Sequence, residues 1–225
     1  FNGLKTGESM SARNLWDKVV KNAWDSGEPG VLNGYLANEQ NNIYYYEELI
    51  STNPCGEIWL GGYDCCCLGA IVLPRFVKNG KFDWDQFDQT IRLSVRFLDN
   101  VLTINDFPLP QIKEKCQHNR RIGAGVIGLH SMLMELGLDY DSPEGLAFVD
   151  KLFSFYKNTA YDESATLASE KGPFPGYSPE FLKSGFAKTL KRGIRNKIRH
   201  HGIRNCALMT IAPTGTTGMV CGTST

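Results

Sequence analysis

Asn53, Cys55 and Glu57 place an amide, a thiol and a carboxylate at every second position of the stretch Ser51-Thr52-Asn53-Pro54-Cys55-Gly56-Glu57. In extended backbone, side chains two residues apart point to the same side. Pro54 and Gly56, lying between them, have no long side chain to orient and favour a loop over a ladder-forming strand. The stretch therefore predicts a loop tip that offers a hydrogen-bonding amide, a sulfur and a base to one small volume. The same residues would also make an ordinary turn around a buried thiol, since a free cysteine commonly serves as a small core hydrophobe.

Three other stretches carry chemistry-bearing residues. Cys65-Cys66-Cys67 opens an apolar run to Leu73, and strand alternation sends Cys66 to one face and its two neighbours to the other. Only one of those faces can share a volume with Cys55. Pro213-Thr214-Gly215-Thr216-Thr217 follows an apolar segment, and its small residues leave backbone N–H groups and three hydroxyls available to phosphate oxygens. No lysine follows as in a Walker loop, which argues against an ordinary triphosphatase. Gly123-Ala-Gly-Val-Ile-Gly128 matches GxGxxG, yet polar and basic residues, Gln117 to Arg121, precede it where a dinucleotide fold needs a strand. The glycines read instead as close packing at the start of a helix.

Composition bounds what these residues can serve. The chain has 225 residues, enough for one large domain or two small ones, with 42% apolar content and a formal charge of +0. That balance carries no electrostatic signature of nucleic-acid binding, and the short basic run Lys191 to His201 reads as a solvated helix face. Seven cysteines without a CxxC pair or histidines at ligand spacing predict neither structural zinc nor a disulfide framework. With no signal peptide and no membrane-spanning apolar run, the chain is expected in a reducing cytoplasm, where a disulfide would be transient and functional. It begins at Phe1 and stops in a Gly/Thr tail, Cys221 to Thr225, so both ends are expected to be cuts through a larger polypeptide.

Periodicity supplies the elements that must position the candidates. Ser11 caps a helix through Leu15, Val19 and Ala23 that stops at Ser26-Gly27. Residues 31–50 read as loop, followed by a short strand at Ile58–Leu60 and a buried strand from Cys65 to Leu73. Asp83 caps a helix, with Gln86 at the capping-box position, whose apolar face is Trp84, Phe87, Ile91, Val95, Leu98 and Leu102. Residues 123–137 read as a helix, and Ser142-Pro143 opens a long one ending at Gly172. A shorter helical piece lies around 178–200, and Ile203–Ile211 reads as the best strand. Strands alternating with helices predict an α/β fold.

In their order along the chain, Asn-Pro-Cys-Gly-Glu, Cys-x-Leu-Gly-Ala-Ile, Arg-Arg-Ile-Gly-x-Gly-Val-x-Gly-Leu and Ala-Pro-Thr-Gly-Thr resemble the catalytic core of ribonucleotide reductase large chains. The form of the first and last motifs is most similar to the adenosylcobalamin-dependent class. The resemblance implies that residues 1–225 are part of a ten-stranded α/β barrel with a finger loop at 53–57. It implies radical-based reduction of ribonucleoside di- or triphosphates to deoxyribonucleotides. Cys55 then matches the thiyl radical that takes the ribose 3′ hydrogen, Glu57 the base on the 3′ hydroxyl, and Asn53 the amide that bonds the hydroxyls. Register against the family strand makes Cys66 one of the two reducing thiols. Ser51, Thr52 and the residues Pro213, Thr214, Gly215, Thr216 and Thr217 match the substrate-binding loops.

Adenosylcobalamin and an external dithiol reductant such as thioredoxin are the implied cofactor and partner, together with the rest of the same enzyme and a homodimeric assembly. No metal, membrane or nucleic-acid partner is implied. Cys67 departs from the asparagine common in relatives. The partner thiol of Cys66 is expected on a strand before Phe1. Two alternatives are a large subunit fed its radical by a separate metal-carrying subunit, and a split barrel piece inactive alone.

Overall fold

The computed structural model describes residues 9–225, which divide into two units between Asn33 and Gly34. The first holds α1 (Ala12–Ser26), whose start is capped by Ser11 accepting from the Asn14 N–H and whose end is Gly27 in the left-handed region.

The second unit runs α2 (Gly34–Glu39), β1 (Ser51–Thr52), β2 (Trp59–Leu60), β3 (Cys67–Val72), β4 (Val77–Lys78), β5 (Lys81–Phe82), α3 (Trp84–Ile104) and α4 (Pro110–Asn119). It continues through β6 (Ile122–Ile127), α5 (Leu129–Glu135), α6 (Pro143–Lys171), α7 (Gly185–Lys188), α8 (Arg192–His201) and α9 (Gly215–Cys221). This is the α/β mixture expected. Its inner layer is β3 paired in parallel with β6, in register Cys67 with Ile122 through Val72 with Ile127. Its outer layer is α3 and α6, joined by Arg92 to Asp162 at 2.8 Å and by Arg96 to Glu170 at 2.6 Å.

The capped, strongly periodic helices form where the pattern places them. Asp83 accepts from the Gln86 N–H at 3.0 Å, and Phe87, Ile91, Val95, Leu98 and Leu102 are buried. The Gln86 side chain takes the Lys78 ammonium at 2.9 Å, leaving half of the capping box made. Ser142 caps α6 and Gly172 ends it. The helical piece expected near 178–200 is divided into a 3-10 turn (Pro179–Lys183), α7 and α8. The basic run of α8 is solvated only in part: Arg192, Arg199, His200 and His201 are exposed, whereas Lys197 is half-buried and holds Asp162 of α6 at 2.8 Å, and Arg195 is half-buried.

Five expectations need correction. The strand expected to be buried from Cys65 to Leu73 spans only Cys67–Val72 and buries Ile71 alone, because the face carrying Leu68 and Ala70 is exposed. Residues 31–50 are not all loop, because Asn38 clamps α2 against Leu49, donating to its carbonyl and accepting from its N–H, each at 2.9 Å. Residues 123–137 are not one helix: 122–127 is a fully buried strand, and helix begins only after Gly128, at φ +80°. A Cβ on Gly123 would lie 2.6 Å from Leu68 Cδ2 and 2.8 Å from Cys66 Sγ, and one on Gly125 2.7 Å from the Thr210 carbonyl. The glycines therefore serve close packing, but of a strand.

Ile203–Ile211 is buried over much of its length yet makes one isolated bridge, Ala124 with Met209, and no ladder. The consecutive carbonyls of Ala207 and Leu208 accept from Ile122 and Ala124, at 3.0 and 2.7 Å, a bulged arrangement. Competing anchors cause it: Cys206 N–H bonds the Asn119 carbonyl at 3.1 Å, and Asn205 donates to Asp99 at 3.2 Å and to the Arg120 carbonyl at 3.0 Å. Finally, α9 occupies 215–221, so the terminal tail is shorter than expected. Its Ser224 exchanges hydrogen bonds with Ser131 at 3.0 and 3.2 Å.

Asp99 of α3, fully buried, is the polar anchor of this layer. It accepts from Arg120 Nη2 at 2.7 Å and Nε at 2.9 Å, with Arg204 at 3.3 Å. Those bonds pin the turn before β6 and the segment before Cys206 to the same helix.

Candidate active site

β1 and β2 are an antiparallel hairpin, Ser51 opposite Leu60 and Thr52 opposite Trp59. Asn53 closes its tip: its carbonyl accepts from Gly56 at 3.0 Å, and its side-chain oxygen accepts from Ile58 at 3.2 Å. Gly56 takes φ +80°, a conformation that breaks the two-residue alternation on which convergence depends. Cys55 and Glu57 consequently border different cavities.

Cys55 is exposed and borders an open cavity of about 700 Å³, with His130, Tyr140, Phe153, Ile211 and Pro213. Thr214, at φ 43°, carries a buried hydroxyl with no partner among the described residues, and its carbonyl accepts from Gly218 at 2.7 Å. Gly215, Thr216 and Thr217 are the exposed first turn of α9, so only Pro213 and Thr214 of the expected loop are non-helical. Ser51 is exposed on β1 and Thr52 is half-buried beside it.

Glu57 turns the other way, into a cavity of about 300 Å³ that Cys66, Arg121, Tyr161, Cys206 and Met209 also line. Its backbone carbonyl accepts from the Thr210 hydroxyl at 3.2 Å, tying the hairpin to the segment beside β6. Its Oε2 is buried without a partner among the described residues, and so is Arg121 Nη2. Two opposite charges with spare hydrogen-bonding capacity in one cavity suit a polar ligand carrying both donors and acceptors.

Of the three adjacent cysteines, Cys66 alone lines this cavity; Cys65 and Cys67 pack against the core. Burial pushes the Cys66 thiol well above its ordinary pKa, and the nearby Arg121 guanidinium pulls the other way. Cys206, 1% exposed, is likewise raised by burial, to about 12.

Sequence reasoning missed Arg121, Asp64 and Asn119. Arg121 Nε donates to Asp64 at 2.9 Å, Asn119 donates to the same carboxylate oxygen at 3.0 Å, and Tyr46 donates to Asn119 at 2.8 Å. Glu47 joins through Asn119 at 3.2 Å and through Lys115. The one available signal was a charged pair, Arg120-Arg121, set directly before six apolar or small residues. A charge there must be paired inside the fold.

Residues 2–225 match the family model described as ribonucleotide reductase, barrel domain. The chain is 36% identical over 217 residues to the vitamin B12-dependent ribonucleoside-diphosphate reductase of Thermoplasma acidophilum, covering 96% of this chain and 26% of that protein. Its Mycobacterium tuberculosis namesake is 35% identical over 215 residues, covering 96% of this chain and 29% of that protein. The ribonucleoside-diphosphate reductase subunit alpha of Chlamydia pneumoniae is 29% identical over 242 residues, covering 96% and 23%. The chain thus spans about a quarter of the length of these relatives.

Proposed function

Since this chain belongs to the ribonucleotide reductase barrel-domain family, we propose that it is part of the catalytic barrel of an enzyme that reduces ribonucleotides to deoxyribonucleotides by thiyl-radical chemistry. One observation carries the reading: among three adjacent thiols, Cys66 alone turns to the cavity that Glu57 also lines. That is the pairing of reductant and base the chemistry needs on one side of the sugar.

In this reading the ribose lies across the hairpin tip. Cys55, on the exposed side, takes the 3′ hydrogen, its S–H forming as the C–H breaks. A sulfur radical carries no charge, so this step asks for reach rather than for a lowered pKa. Glu57, whose Oε2 is unpartnered among the described residues, accepts the 3′ hydroxyl proton, and Asn53 orients the sugar hydroxyls. Cys66 and a partner thiol from the rest of the enzyme then supply two electrons and end as a disulfide, which a thioredoxin-like dithiol reopens. Ser51 and Thr52 border the substrate. Pro213 to Thr217 hold its di- or triphosphate, through the free N–H groups of the first turn of α9 and the threonine hydroxyls.

The radical must come from outside these side chains. Adenosylcobalamin is the proposed source, because the 35–36% identical relatives are named vitamin B12-dependent and the relative named as a subunit is 29% identical. The residues present suit such a bulky group. Cys55 is exposed beside an open volume of about 700 Å³, where Leu129, Tyr140 and Phe153 offer apolar surface against which it can rest. When bound, the cofactor supplies the one-electron chemistry that starts the reaction.

The deciding experiment is Cys55→Ser in the full-length enzyme. The hydroxyl nearly matches the thiol in shape but cannot serve as the abstracting radical. Reduction should disappear while nucleotide binding persists; turnover within about tenfold of wild type, roughly 1.4 kcal/mol in barrier, overturns the assignment.

A further inference from the structure

Cys65 and Cys116 lie outside the chemistry described above. Cys65 precedes β3 and is not among the residues lining the Glu57 cavity; its side chain meets α4, where Cys116 sits one turn before the helix end. Their sulfurs are 2.9 Å apart. A disulfide requires about 2.05 Å between sulfurs, so closing the bond asks for a movement of less than about 1 Å. Cys65 is partly exposed, whereas Cys116 is 1% exposed, which gives the pair one way in.

We propose that Cys65 and Cys116 form a redox-responsive dithiol, which a small-molecule disulfide converts into a protein disulfide joining the start of β3 to α4. The thiolate of Cys65 attacks one sulfur of the small disulfide, whose S–S bond breaks and releases one small thiolate. That thiolate takes the proton of Cys116. The Cys116 sulfur then attacks the mixed disulfide at Cys65, a protein S–S bond forms, and the second small thiolate leaves, to be protonated by solvent. Two protein thiols lose two electrons and one small disulfide becomes two thiols. The hydrogen bond from Cys116 lowers the Cys65 pKa and raises that of Cys116, which gives the accessible partner the nucleophile's role. Cys66, on the other face, is left reduced.

Bridging has a structural consequence near the candidate site. Asp64, adjoining Cys65, holds Arg121, and Asn119 of α4 bonds the same carboxylate. A disulfide would make this connection covalent.

The test uses the full-length chain, folded, exposed to oxidised glutathione, quenched in acid, denatured, alkylated and cut with trypsin. Cleavage after Lys115 and Arg120 isolates Cys116 with no other cysteine, while Cys65 shares its peptide, residues 22–75, with Cys55, Cys66 and Cys67. The 116–120 peptide should lose most of its alkylated form and appear joined to 22–75, and a dithiol should reverse both changes. The junction should vanish in Cys65→Ala and in Cys65→Ser, the two substitutions guarding against a packing defect in either, and persist in Cys66→Ala and Cys67→Ala. Recovery of 116–120 as free alkylated peptide from treated, folded protein overturns the proposal. So does a junction that survives in both Cys65 variants.

Discussion

Cys65 and Cys67 turn toward α4 and the buried helix layer, whereas Cys66 turns to the cavity lined by Glu57 and Arg121. The helix-covered side is built like an ordinary core: Ile71 with Val126, Gly69 against Leu98, and Phe87 and Ile91 behind them. On the other side Leu68 is 47% exposed, and the strands are held close by residues that lack side chains, Gly123 and Gly125. One strand thus divides a structural surface from a surface with unspent polar groups. The three thiols at its start, Cys65 and Cys66 just before β3 and Cys67 its first residue, differ in environment although they are consecutive in sequence.

The comparison would break most visibly in turnover. In the full-length enzyme assayed with a dithiol reductant, Cys66→Ala should abolish normal turnover, while Cys65→Ala and Cys67→Ala should retain it and lose stability, by about 1–3 kcal/mol. Loss confined to a Cys65 or Cys67 variant would put the active thiol on the helix side, against the alternation seen here.

The covered side is sharpened by Asp99→Ala. It leaves Arg120, itself 5% exposed, as an uncompensated buried charge, and should cost about 3–5 kcal/mol in denaturant titration. A cost below about 1 kcal/mol would mean that water reaches Arg120 and that the layer is looser than its geometry indicates.

The smallest effect expected is a pH dependence from the cavity side. Burial pushes the Cys206 thiol up from its ordinary 9.0 to about 12 in the fold. Its contribution to stability is therefore complete below the unfolded pKa and is lost as pH rises through the folded one, because only the unfolded chain ionises between them. Between about pH 8 and about pH 10 that contribution should fall by roughly 1–2 kcal/mol. Cys206→Ala should flatten the decline measured by denaturation midpoint; an unchanged slope would place the cause in other groups, Cys66 among them.

Legibility from sequence varied with how local the determining physics is. α1, α3 and α6 were readable because cap, period and stop all lie within the helix: Ser11, Asp83 and Ser142 bond N–H groups three residues on. The family motifs were readable too, and with them the candidates Asn53, Cys55, Glu57 and Cys66. The α2 helix was not, since it depends on Asn38 reaching Leu49, and a polar residue gives no sign of so distant a partner.

By itself the sequence determined the capped helices and the order of the motifs, because cap, period and stop are local; alternation left Cys66 and the Cys65/Cys67 pair both open, and only register against the family motif singled out Cys66. Tertiary structure alone decided that Gly123 to Ile127 is strand rather than helix, for those glycines have meaning only against Leu68, Cys66 and Thr210. It also decided that Ile203–Ile211 bulges rather than ladders, and that Arg121 belongs to the cavity. Most of all, it decided that Cys55 and Glu57 part at the hairpin tip. A two-residue spacing predicts a shared face only while backbone stays extended, and the turn at Gly56 is set by hydrogen bonds that Asn53 accepts from Gly56 and Ile58, closing the loop across it.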